Sequence, residues 1–214
     1  MEGNESAASR MNRPLRYPGP SMAIHWLTVL LVVAAYVLAP GGSEERVYSA
    51  ARDFDRQVHE LLGVSVFALT LARLLWRPFT RRPALPAGHP WMNLAAKWVE
   101  GLLYCLLVLT PLAGITGAWL EGHPLTLALF GEIPPLLPKL HPAGKQIAEV
   151  HPWLGDALLW LAGLHAAAAL FHHFVLRDGV LGTMVPGLVV EAERGVDRGG
   201  EPRERPPGDE ADRG

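Results

Sequence analysis

Apolar residues gather into four long runs, separated by shorter stretches rich in Gly, Pro and charge. A helix that crosses a bilayer needs roughly 20 mainly apolar residues, because the hydrocarbon core is about 30 Å thick and each helical residue rises about 1.5 Å. Residues 21–40 meet this requirement, with Ser21 as the expected N-cap and Pro40 as the stop. Residues 54–76 form a second span with polar first turns and Arg73 near its end. Residues 92–120 form a third, apolar from Gly101 onward, in which Pro111 is expected to kink the helix. Residues 150–176 form the fourth, with Pro152 in a first turn, where a missing N–H is tolerated. The pattern predicts an all-α integral membrane four-helix bundle over residues 21–187. Loops are expected at 41–53, 77–91 and 121–149. A polar amino-terminal tail covers 1–20, and a charged carboxyl-terminal tail, 188–214, has too little apolar surface to fold.

Composition narrows the chemistry. Half of the 214 residues are hydrophobic, yet mean hydropathy is only mildly positive, because the polar tails dilute the apolar runs. A net charge of −2 gives no reason to expect a nucleic-acid partner. The single Cys105 excludes a disulfide framework, and the absence of Cys-x-x-Cys-His excludes covalently attached haem. The first apolar run starts late and is about a bilayer long, so it reads as a span and not as a cleaved signal. Orientation follows from Lys and Arg. Fourteen of them lie on the amino-terminal tail, the loop between spans two and three, and the carboxyl-terminal tail, against five on the other two loops (Arg46, Arg52, Arg56, Lys139 and Lys145). Both termini are therefore expected in the cytoplasm.

Four of the nine histidines, His25, His59, His151 and His165, fall inside or at the entry of a span. Ionisable groups at membrane depth are costly and usually have a partner or a function. For any one of them alone, a hydrogen bond to a neighbouring helix is the simpler reading. Together they form a pattern. His151 and His165 are 14 residues apart, which puts them on roughly one helix face and about 21 Å apart along its axis. That leaves room for one planar cofactor near each membrane surface. His25 opens span one from the cytoplasmic side, where His165 also lies, and His59 opens span two from the outer side, where His151 lies. Depth alone pairs His25 with His165 and His59 with His151.

Haem fits such pairs better than zinc, because the spans offer no Cys or carboxylate cluster to complete a tetrahedral site. Two imidazoles on facing helices can cap a haem iron from both sides, an arrangement suited to electron transfer and not to oxygen activation. Gly63, Gly155 and Ala169 each follow a candidate ligand by four residues. They either leave room for a macrocycle or allow close helix packing.

These residues resemble the bacterial cytochrome b561 family of small four-helix dihaem, quinol-linked cytochromes. The resemblance rests on Ala23-Ile-His25-Trp26, Val58-His59-Glu60 with Gly63, and Arg73-Leu-Leu-Trp-Arg77. It continues with Tyr104 through Pro111-Leu-Ala-Gly114, Leu129-Phe130-Gly131 with Pro134, and Gly163-Leu-His165-Ala-Ala-Ala-Ala-Leu-Phe-His172-His173. Arg177-Asp178-Gly179 and Met184-Val-Pro186 complete it, over roughly residues 20–187. It implies two haems b per chain, with His25, His59, His151 and His165 as the axial iron ligands. It also implies a multi-pass protein of the bacterial inner membrane that exchanges electrons with ubiquinone or another quinone and with a periplasmic redox partner. The chain departs from the family's pattern at Glu100, where a His is common, and at Pro152, where a Glu is common.

Arg73 and Arg77 are candidates to pair with haem propionates, which Arg can do bidentately, or else they snorkel to the interface. His172 and His173, at the end of span four, are candidates for propionate or quinone contacts, or are solvated at the interface. His89, His123 and His141 read as structural residues of Pro-containing loops. The expected function is electron transfer between the quinone pool and a partner on the periplasmic side, with the resemblance suggesting superoxide oxidation coupled to ubiquinone. A cytochrome b anchor subunit for a periplasmic dehydrogenase or hydrogenase is the alternative.

Overall fold

The structure, a computed structural model, describes residues 16–80, 83, 90–185 and 188. Most of both expected tails, His89, and the basic residues Arg10, Arg13, Arg81 and Arg82 lie outside the described residues. Four helices dominate: α1 (Gly19–Val37), α2 (Asp53–Trp76), α3 (Pro90–Glu121) and α4 (His141–Phe171), the last continued by a wide helical turn at His172–Leu176. All four are long and apolar enough to cross a membrane. α1 packs along α2, α3 along α4, and α2 against α3.

The bundle is built for an apolar solvent. Val66, Leu125 and Leu158 form the small buried hydrophobic core among the described residues, while Leu30, Val37, Leu75, Trp160 and Phe174 face outward. In water such a surface would drive aggregation, but a bilayer core solvates it. Three hydroxyls inside the spans are satisfied within their own helices. Thr28, Ser65 and Thr70 each donate to the carbonyl four residues earlier, at 2.7–2.8 Å.

Two local readings differ from the sequence expectation, at the start of α1 and at the start of α4. Ser21 does not cap α1: it is buried inside the helix, and the chain enters through Pro18, with Pro20 supplying helix-ready geometry in the first turn. Pro111 lies inside α3, which stays helical on both sides of it to Glu121. The fourth helix begins at His141, nine residues before the expected 150, so Pro152 is interior and His151 is helical. Polar Lys145, Gln146 and Glu149 hide that first stretch from a hydropathy reading. It forms because α3 and α4 approach closely: a Cβ on Gly117 would stand 3.2 Å from the Ala148 nitrogen, and one on Gly144 would stand 2.9 Å from that of Glu121.

The expected loop at 121–149 also holds an antiparallel hairpin, β1 (Leu125–Leu127) with β2 (Gly131–Ile133), pairing Leu125 with Ile133 and Leu127 with Gly131. The Thr126 N–H donates to Oε2 of Glu60 on α2 at 2.5 Å, and Arg56 donates to the other oxygen at 2.8 Å. Glu60 thus ties the hairpin to the bundle.

Candidate functional site

His59 and His151 stand with ring centres 5.9 Å apart and planes nearly perpendicular, at 87°. Each ring is held from behind by a backbone carbonyl. His59 Nδ1 lies 2.8 Å from the Ala35 oxygen, and His151 Nδ1 lies 2.9 Å from that of Thr110. A carbonyl only accepts, so both Nδ1 atoms carry the proton and both Nε2 atoms of the neutral rings are bare. That is the tautomer a metal-bound imidazole needs. The Ala35 oxygen belongs to the last turn of α1, where helix carbonyls lack partners of their own. Gly114 admits the His151 ring to the α3 backbone, since a Cβ there would meet Cε1 at 3.0 Å.

Two imidazoles whose nitrogens each stand about 2 Å from one metal have ring centres roughly 6 Å apart. The observed 5.9 Å therefore fits one iron held between them. The glycines beside the candidate ligands fit as well. Gly63, Gly155 and Gly163 have no other part of the chain within 4 Å of an added Cβ, so they open onto space and do not serve close helix packing. Gly117 and Gly144 are the packing glycines.

The other predicted pair is arranged differently. Arg73 donates to His25 Nδ1 at 2.8 Å, and it lies within electrostatic reach of His165 as well. His165 is exposed on a stretch of α4 running from Gly163 to Ala168. Arg73 and Arg77 both lie over the Tyr104 ring, at 5.8 and 5.3 Å, and Arg77 pairs with Glu100 at 2.9 Å. Arg73, Arg77, Glu100 and Tyr104 line a pocket together with Tyr17, Ser21, Ile24, Trp76 and Thr80, and neither His25 nor His165 is part of its lining.

His172 turns away to bind Oδ2 of Asp178 at 2.5 Å, closing the end of α4, and His173 packs on Phe174. At the opposite end, Arg52 pairs with Asp55, while Arg56 pairs with Asp53 and Glu60. Hydrogen bonding from His123 holds the Glu44 carboxyl below its usual range, and burial raises the Tyr48 phenol. His123 follows the end of α3 and His141 opens α4, so His141 is a helical residue and not the loop residue expected. Sequence reading missed Ala35, Thr110 and the bracing role of Gly114. Gly114 stands in the family motif, but the two carbonyls leave no mark in a sequence.

Comparison with known proteins finds relatives over most of the chain. A family described as prokaryotic cytochrome b561 matches residues 16–187. Cytochrome b561 homolog 2 of Escherichia coli K12 is 27% identical over 175 residues, covering 81% of this chain and 93% of that protein. The probable superoxide oxidase CybB of Yersinia pestis is 28% identical over 177 residues, 80% of this chain and 96% of its own length. Cytochrome b562 of Cereibacter sphaeroides is 29% identical over 171 residues, 77% and 92% of the two chains.

Proposed function

This chain belongs to the prokaryotic cytochrome b561 family of membrane b-type cytochromes, and we propose that it holds two haems b and passes electrons across the bilayer. The exchange runs between the quinone pool and a donor or acceptor on the periplasmic side. The observation that carries this reading is the His59–His151 pair, with ring centres 5.9 Å apart and both Nδ1 atoms tied to backbone carbonyls, which leaves each Nε2 free to bind a metal.

In this reading His59 and His151 hold the outer haem, and His25 and His165 hold the inner one. When bound, each haem iron supplies a reversible one-electron couple. The chain sets the conditions for it. Carbonyls of Ala35 and Thr110 fix the tautomer and orientation of the outer ligands, and their pull on Nδ1–H makes the rings stronger donors. Held by two histidines, a haem there would serve electron transfer and not oxygen activation.

At the inner pair, ligation through His25 Nε2 requires a proton on Nδ1, so Arg73 must release that atom. A carboxylate is the better acceptor for a guanidinium, and a propionate arriving with the cofactor would draw Arg73 to itself. Arg77 is already engaged by Glu100, which leaves Arg73 as the stronger candidate for that contact.

The Lys and Arg distribution supports cytoplasmic termini and an inner-membrane location, with the outer haem toward the periplasm. Likeness to the Yersinia pestis protein supports superoxide as the electron donor. Two superoxide anions would then each lose one electron and leave as dioxygen, while one quinone takes up two electrons and two protons. The test is an optical titration of the purified protein with quinol. A b-type spectrum that quinol reduces is expected, and a protein that quinol leaves oxidised would defeat the assignment.

A further inference from the structure

At the hairpin end of the bundle, a second group of ligating side chains lies apart from the histidine pairs. α3 ends on Glu121, and Gly122 takes φ +89°, so that the His123 N–H returns to the Ala118 carbonyl at 2.9 Å. Glycine tolerates this left-handed turn without a Cβ clash. The reversal sets His123 beside Glu121. A one-turn helix, Glu44–Val47, brings Glu44 to the same place from the connection between α1 and α2. His123 Nε2 is 3.0 Å from Oε1 of Glu44, and one ligating atom from each of Glu44, Glu121 and His123 lies within 4.8 Å of the other two. The His123 ring is stacked on Tyr48, with centres 3.6 Å apart and planes 17° from parallel, which fixes its direction.

Glu121 is the residue that calls for a ligand. It is only 6% exposed, and its stem is covered by Gly144, where a Cβ would meet Cγ at 2.8 Å. Among the described residues it accepts no hydrogen bond and forms no ion pair. A carboxylate so enclosed, with water as its other available partner, favours a cation beside it. The Glu44 carboxylate beside it adds repulsion, which His123, His141 and Lys145 oppose through space without contacting it.

We propose that Glu44, Glu121 and His123 form a binding site for a divalent transition-metal cation of the Zn²⁺ class. Ligands that each stand about 2.0–2.2 Å from Zn²⁺ lie roughly 3.3 Å apart in a tetrahedron, and the Glu44–His123 contact is already close to that. One imidazole nitrogen with two carboxylate oxygens suits Zn²⁺ or Mn²⁺ and not a soft ion such as Cu(I). Three protein ligands leave a fourth position for water. The ion neutralises the two carboxylates and fastens the α1–α2 connection to the end of α3. Nothing in this site depends on the haem assignments.

The test is Zn²⁺ binding by the full-length protein, without a polyhistidine tag, chelator-treated and titrated by calorimetry in detergent. One ion per chain is expected. Glu121→Gln and His123→Ala should each weaken binding by about tenfold or more, with the visible spectrum of the protein unchanged. Glu44→Gln, on an exposed connection, serves as the third variant should either of the others lose helical circular dichroism. Substitution with Co²⁺ should give the intense visible bands of low coordination. Absence of Zn²⁺ binding by the parent protein, or equal affinity in the folded variants, would reduce the cluster to a Glu44–His123 ion pair and overturn the proposal.

Discussion

Gly114 on α3 lies directly under the imidazole of His151 on α4, so close that an added Cβ would stand 3.0 Å from Cε1 and 3.2 Å from Nδ1. The ring reaches the Thr110 carbonyl only because that Cβ is missing. Gly114→Ala should push His151 off its backbone partner and lower affinity for the outer haem by roughly tenfold to a hundredfold, the usual cost of disturbing a ligand's supporting bond. Haem retention on dilution measures it. Unchanged retention would mean that the ring's position is not set by α3.

Gly63→Ala and Gly155→Ala separate room for a macrocycle from helix packing. Neither added methyl meets another part of the chain, so the haem-free bundle should gain up to about 1 kcal/mol of helix propensity from each change. Haem loading should fall all the same, because the methyl enters space beside a ligand. Thermal melting of haem-free protein, together with haem loading, checks both halves. Full loading in both variants would return these glycines to a structural role.

Much of the bundle was legible in the sequence because a bilayer imposes one strong rule, a run of about 20 apolar residues for each span. The first turns of α4 were not legible. His141 to Glu149 are held by contact with α3 through Gly144 and Gly117, and that contact leaves no hydropathy signal. The histidines announced themselves by their depth. The carbonyls of Ala35 and Thr110 did not, since every residue has one and only the packing decides which is reached. Glu44 was equally hidden, because it stands 77 and 79 positions before Glu121 and His123 in the chain.

The proposed topology, with both termini in the cytoplasm, rests on the 14 basic residues on three segments against five on the other two. A reporter fused to the carboxyl terminus should be active in the cytoplasm and silent in the periplasm. The opposite pattern would invert the assignment and exchange the inner and outer haems.

Superoxide tests the choice of donor. Near the hairpin end, Arg56 is neutralised by Asp53 and Glu60, and Arg52 by Asp55, so those cations add little to steering of an anion. Superoxide supplied in the presence of a water-soluble quinone analogue should still yield quinol, with a weaker salt dependence than an unpaired basic surface would give. Reduction by quinol without any reaction with superoxide would favour the anchor-subunit alternative.

The central claim is that two depth-matched histidine pairs hold two separate haems, and counting haems per chain in paired variants tests it most directly. Ligands of one site act as a unit, whereas separate sites approach additivity. The haem-to-protein ratio, taken from a pyridine haemochrome assay, should be two in the parent protein and one in His165→Ala. It should stay at one when His25→Ala is added, and fall to zero when His59→Ala is added instead. A parent ratio of one, or loss of both haems from a still-helical His25→Ala/His165→Ala protein, would contradict the pairing.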